Sequence, residues 1–167
     1  MPIQVDAPAS LLLGLAPVGG SLAAVNLALQ HPPVQLTAQR APALLVSGAC
    51  APLAYAAAAR YGQPAAELQV ELAIPSLMGL AAEEMLGLAV ARALAALQAA
   101  PTEAATLAHT LGWGPDRAPE VWGFDRGGLL LTDVRAPLGT PPLGRRPLSH
   151  PDARAWVLVL YLPKPPD

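Results

Sequence analysis

In this chain, residue types and spacing could do chemistry in the segment Ile74-Pro75-Ser76-Leu77-Met78-Gly79-Leu80-Ala81-Ala82-Glu83-Glu84. An alternating strand pattern ends just before it, and an Ala/Leu-rich helix begins just after it. A strand, a Pro/Gly loop and the N-terminus of a buried helix form an anion seat, because first-turn amides lack intrahelical partners and carry partial positive charge. Gly79 is the expected pivot, with Pro75, Leu80, Ala81, Ala82 and Glu83 around it. The composition of this loop pulls two ways. Ala81 and Ala82 supply no hydroxyl donor, and Glu83 and Glu84 put two negative charges where an anion would sit. Like charges a few ångströms apart repel by about 1 to 4 kcal/mol between the dielectric of water and that of a protein surface. The same carboxylates in a first helical turn stabilise the helix by roughly 0.3–1 kcal/mol each through its macrodipole.

Arg117, in a Gly/Pro-rich stretch, is either a contact for an anion or an ordinary solvated arginine. Other chemistries find less support. Cys50 precedes a helix start, which can lower a thiol's pKa, but no histidine is near it in sequence. Ser149-His150 has no acid nearby except Asp152, and Lys164, the sole lysine, sits in a Pro-rich tail. His31, His109 and His150 are far apart and have no partners at metal-ligand spacing, so no metal ligand and no catalytic residue is assigned. Asp116, Asp125 and Asp133 read as turn or strand-end acids.

The elements that must position the loop are short. The chain has 167 residues, is 53% hydrophobic and 13% charged, and carries 20 prolines and 14 glycines, which fits one domain with an Ala/Leu/Val core punctuated by turns. Strands are expected at Val5–Leu15 and Leu22–Leu29 around a turn at Pro17-Val18-Gly19-Gly20, then at Val34–Gln39 past Pro32-Pro33, and at Ala43–Val46. Ala51–Tyr61, with Pro52 in its first turn and Gly62 at its stop, reads as a helix. Glu67–Leu72 alternates as a half-buried strand. Ala81–Ala99 is apolar nearly all round and predicts a buried helix, and Thr102–Leu111 predicts a third. Strands return at Glu120–Phe124, Leu129–Val134 and Trp156–Leu162.

Ten basic residues, nine of them arginines scattered singly except for Arg145-Arg146, stand against twelve acidic ones, which gives no basic patch for nucleic acid. Ala7 to Leu29 is uncharged, but Pro8, Gly14, Pro17, Gly19 and Gly20 break any spanning helix and the residue ahead of it is Asp6, so neither a membrane span nor a secretory signal is expected. The expected location is cytoplasmic.

The block Ile74-Pro75-x-x-x-Gly79-Leu80-Ala81-Ala82-Glu83-Glu84-Met85-Leu86-Gly87-Leu88-Ala89-Val90-Ala91-Arg92-Ala93-Leu94 resembles the phosphate loop and helix of the GHMP kinase superfamily, closest to its beta-ribofuranosylaminobenzene 5'-phosphate synthase branch. Pro8-Ala9-Ser10-Leu11 with Gly14-Leu15 is similar to the opening of that family, and Val25-Asn26-Leu27-Ala28-Leu29 to its second strand. The resemblance implies an α+β, two-layer N-terminal GHMP-type domain over residues 1–167, with a mixed or antiparallel sheet, about three helices, and no C-terminal GHMP domain. The departures are specific. Ser10 stands at a family arginine, Leu12 at a histidine and Asn26 at a glycine, while Ala81, Ala82 and Glu83 replace the Gly-Ser-Gly of the loop and only Arg117 remains of an R-x-G-x-G motif. The branch joins phosphoribosyl pyrophosphate to an aromatic acid in pterin-cofactor biosynthesis, so the resemblance implies weak or no such activity from this chain alone. Mg2+ with ATP or phosphoribosyl pyrophosphate is implied only for an active protein, and the implied partner is a second GHMP domain or an oligomer. A noncatalytic partner-binding module and a small-molecule GHMP kinase are the competing expectations.

Overall fold

The computed structural model describes residues 1–76 and 78–147. The strand expected at Trp156–Leu162, the Ser149-His150 pair and Lys164 lie outside them. A long hairpin begins the chain: β1 (Ile3–Val18) and β2 (Ser21–Arg40) turn at Gly19 and Gly20, both with positive φ, as a two-residue hairpin loop demands. The two strands expected at Leu22–Leu29 and Val34–Gln39 are thus one strand. Ala7 pairs with Val34 and Ala9 with Leu29, so Pro8 faces the unpaired Gln30-His31-Pro32-Pro33 in an irregularity that the prolines, lacking N–H donors, impose on the ladder.

β2 organises the sheet. One edge carries β1 along its length, while the other carries β4 (Ala66–Leu72) on Gln35–Arg40 and β5 (Leu129–Asp133) on Ala23–Leu27. Beyond β4 lies β3 (Leu45–Gly48), parallel to it, and beyond β5 lies β6 (Gly144–Arg146), so the six-stranded sheet is mixed. The parallel β3–β4 pair requires a crossover, supplied by α1 (Ala51–Tyr61), which ends at Gly62 in the left-handed region.

Four helices of the described residues cover one face, in the α+β arrangement expected. α2 (Ala82–Leu97) is central, with ten consecutive or near-consecutive positions from Met85 to Ala95 buried against β1, β2, α1, α3 (Ala104–Thr110) and α4 (Ala118–Arg126). Each fully buried Leu in it contributes roughly 1.5–3 kcal/mol. The fourth helix corrects the sequence reading: Glu120–Phe124 is helical. Pro119 occupies the first turn, and Ala118, Val121 and Phe124 recur every third residue as the buried face, so helical periodicity overrides the strand preference of Val, Trp and Phe. No helix of the described residues is long and apolar enough to cross a membrane.

Candidate functional site

The loop before α2 forms an open depression of about 180 Å³ lined by Ser76, Met78, Gly79, Leu80, Ala81, Ala82, Glu83 and Glu84. Of the residues anticipated there, Gly79, Leu80, Ala81, Ala82 and Glu83 are brought together. Pro75 is exposed and outside that lining. Gly79 turns the chain at φ 67°, and Ala81, the residue capping α2, also adopts the left-handed conformation at φ 53°. For an alanine this costs roughly 1–2 kcal/mol. Ala81 has no side chain with which to cap the helix, and the first turn of α2 receives no side-chain hydrogen bond. The first intrahelical bond there is Met85 N–H to the Ala81 carbonyl, 2.9 Å, which leaves the amides before it without intrahelical partners.

Ser10 fixes the loop to the sheet by its backbone: its N–H donates to the Leu80 carbonyl at 3.1 Å. Its hydroxyl points elsewhere, accepting from the Asn26 side-chain amide at 3.2 Å in a buried position beneath α4. A methyl group on Gly123 would come within 3.7 Å of that hydroxyl. Ser10 and Asn26 are therefore bonded to each other, and half-exposed Leu12 brings no polar group to the loop. Among the described residues, the Asn26 side-chain carbonyl oxygen and the Thr132 hydroxyl, on the same face, are buried without hydrogen-bond partners.

Arg117 does not line the depression but touches Glu84, which does. It ends a short 3-10 turn, Pro115–Arg117, and caps α4, from where its guanidinium pairs with the Glu84 carboxylate. Its Nε also lies 3.4 Å from Asp116. The Glu84 side chain is only 17% exposed against 44% for Arg117, so the carboxylate is held and the guanidinium keeps an open side. The Arg117 guanidinium is thus engaged by the chain's own carboxylate.

Glu120, in the first turn of α4, is the residue the sequence reading missed. One of its carboxylate oxygens is buried with no hydrogen-bond partner among the described residues. Burial pushes its pKa above the ordinary glutamate value. Its own backbone N–H pulls the other way, Glu84 and Asp116 add to the rise, and Arg117 opposes it. Ala118-Pro119-Glu120, a proline at a helix start followed by an acid, was the available signal. Cys50 caps α1 in a left-handed conformation and His109 is exposed in the last turn of α3. Among the described residues no group of His, Cys, Asp or Glu is placed to hold a metal ion.

No protein-family model matches the chain, and no curated protein matches its sequence. Solved structures do match in fold. The chain superposes on Streptococcus pneumoniae phosphomevalonate kinase with a TM-score of 0.62 at 13% identity, covering 80% of this chain and 49% of that one. For Methanococcus jannaschii mevalonate kinase the figures are 0.60, 9%, 80% and 54%. For a 4-(cytidine 5'-diphospho)-2C-methyl-D-erythritol kinase they are 0.57, 27%, 83% and 56%. The fold is that of the GHMP-kinase N-terminal domain. The chain spans about half the length of these small-molecule kinases.

Proposed function

We propose that this chain is the loop-bearing half of a GHMP-fold protein that handles a phosphorylated small molecule, resembling the beta-ribofuranosylaminobenzene 5'-phosphate synthase branch, and that alone it is weakly active or inactive. The Arg117–Glu84 pair at the lip of the α2 depression carries this reading. The amides of α2 and a nearby guanidinium supply the elements of an anion seat, while Glu84 takes the guanidinium and Glu83 adds a second negative charge beside it. A polyphosphate entering there must displace Glu84 and meet both carboxylates. The partner is a second domain of the same type, whose surface would complete the cleft.

Titration calorimetry of the whole chain near neutral pH with ATP and with phosphoribosyl pyrophosphate tests this. Binding no tighter than about millimolar is expected for the unmodified chain. The Glu83→Gln, Glu84→Gln double variant removes two repulsions of about 1 kcal/mol or more each and is expected to bind at least about tenfold tighter. Micromolar binding by the unmodified chain overturns the reading.

Glu120, with one buried carboxylate oxygen and a raised pKa, favours a second reading, a small-molecule kinase. In it Glu120 would accept the proton of a substrate hydroxyl as its oxygen attacks the terminal phosphorus of a nucleotide and the bridging P–O bond breaks. Micromolar ATP binding in the same titration supports that reading over the first.

A further inference from the structure

Among the described residues the buried polar side chains are Ser10 on β1, Asn26 on β2 and Thr132 on β5, each no more than 2% exposed. The other buried side chains are apolar, yet these three fall together. Ser10 pairs with Ala28, Leu12 with Asn26, Asn26 with Leu130 and Ala24 with Thr132, and strand alternation then puts all three on one face of the sheet. That face lies under Gly123 of α4, where an added methyl group would sit 3.7 Å from the Ser10 hydroxyl and 3.9 Å from Leu130. The Asn26 amide donates to the Ser10 hydroxyl at 3.2 Å, but its carbonyl oxygen and the Thr132 hydroxyl have no partner among the described residues, so they do not bond to each other. Turning the amide over changes nothing, since Ser10 would then hold the oxygen and leave the nitrogen without a partner.

We infer that one internal water molecule is bound beneath α4, bridging the Asn26 side-chain amide and the Thr132 hydroxyl. A buried amide or hydroxyl with no partner is costly, so native cores supply one. Thr132 is the diagonal cross-strand neighbour of Asn26, a separation too long for two short side chains to touch and within the span of two hydrogen bonds through one oxygen. All three groups are neutral, and no charged side chain among the described residues bonds to any of them. The occupant is therefore a small neutral group that both donates and accepts, which suits either setting of the amide and a hydroxyl free to turn. Water has this chemistry, whereas an ion has only one half of it. The Ser10 hydroxyl accepts from Asn26 and keeps its own proton to donate, which brings the water to the roughly three bonds usual for a buried one. Gly123, above the cluster, brings no side chain to displace it.

Oxygen-17 relaxation dispersion of the whole chain counts water molecules held longer than the protein takes to tumble, and proton exchange from the hydroxyls does not disturb it. The unmodified chain and Thr132→Ser, which keeps the hydroxyl, are expected to give the same count, and Thr132→Val, which matches the shape without the hydroxyl, one water fewer. Urea unfolding of the same variants reads the cost. Removing a bridged hydroxyl breaks a hydrogen bond and is expected to lower the midpoint of Thr132→Val by about 0.5 M, whereas removing a dry, unpaired one raises it. No long-lived water in the unmodified chain, an undiminished count in Thr132→Val, or a raised midpoint for that variant each overturns the inference. Should Thr132→Val fail to fold, a crystal of the unmodified chain decides: density for a water within hydrogen-bond distance of both Asn26 and Thr132 upholds the site, and two side chains in contact with nothing between them overturn it.

Discussion

Asp125 decides whether α4, and with it Arg117 and Glu120, is held in place. One carboxylate oxygen accepts from the Arg92 guanidinium of α2, and the other from the Ala104 N–H that opens α3, at 2.9 Å. The residue before Ala104, Glu103, makes no side-chain cap, so Asp125 caps α3 from another helix. Losing a cap costs about 0.5–2 kcal/mol. The ion pair, with both side chains about a quarter exposed, adds roughly 0.5–1 kcal/mol after screening. Asp125→Ala should therefore destabilise by about 2 kcal/mol, which at a urea slope of about 2 kcal/mol per molar lowers the unfolding midpoint by about 1 M. Asp125→Asn keeps an acceptor for Ala104 and should lose about half as much. Arg92 remains anchored through Nε on the Thr102 carbonyl, 3.1 Å, and its guanidinium stacks 4.2 Å from the centre of the Phe124 ring, so an Arg92→Met, Asp125→Ala cycle should isolate a coupling of roughly 0.5–1 kcal/mol. Urea unfolding followed by circular dichroism measures these values. A midpoint for Asp125→Ala within about 0.3 M of the unmodified chain would refute the clasp.

Gly48 has φ 90°, and a methyl group there would sit 2.0 Å from the Val70 carbonyl oxygen of β4, so Gly48→Ala should cost at least about 3 kcal/mol or prevent folding, read by thermal melting. Leu88 is fully buried in α2, and Leu88→Ala should cost about 2–5 kcal/mol in the same assay. Ala81→Gly relieves a left-handed alanine and should leave stability unchanged or raise it by up to about 1 kcal/mol; a loss of more than that would contradict the capping geometry. Because the pKa of Glu120 is raised, its favourable contribution is complete below the ordinary glutamate pKa and lost as pH rises through the raised value. Glu120→Gln should therefore stabilise the chain at neutral and alkaline pH relative to the unmodified protein, with the advantage fading on acidification; equal unfolding midpoints across the range would count against it.

Much of the layout was legible because it depends on local signals. Ala51–Tyr61 was bounded by Pro52 and Gly62, whose backbone preferences act within one turn, and the helix has those bounds. The alternation in Glu67–Leu72 and the apolar wrap of α2 likewise gave the right elements, since periodicity records which faces are buried. Two misreadings share a cause. The prolines at 32 and 33 suggested a break, yet β1 supports β2 from both sides of the irregularity; Glu120–Phe124 has strand-favouring residues, yet packing on β1, β2 and β5 selects the helix. In both places non-local contacts outweighed local propensity.

The candidate site was half legible for the same reason. Gly79 to Glu83 are contiguous, so their convergence follows from the chain itself, whereas Arg117 and Glu84 are 33 residues apart and meet only because α4 folds back against α2. A sequence shows that two acids stand where an anion would bind, but whether they repel the anion or bind its cation is set by that packing. On the proposed reading, the Arg117–Glu84 pair makes Glu84 an internal competitor of the anion, and the strength of that competition depends on the placement of α4. The Asp125 clasp and the Arg117 pair should therefore couple: loosening the first by substitution should weaken the second and open the depression to oxyanions without any change in the loop.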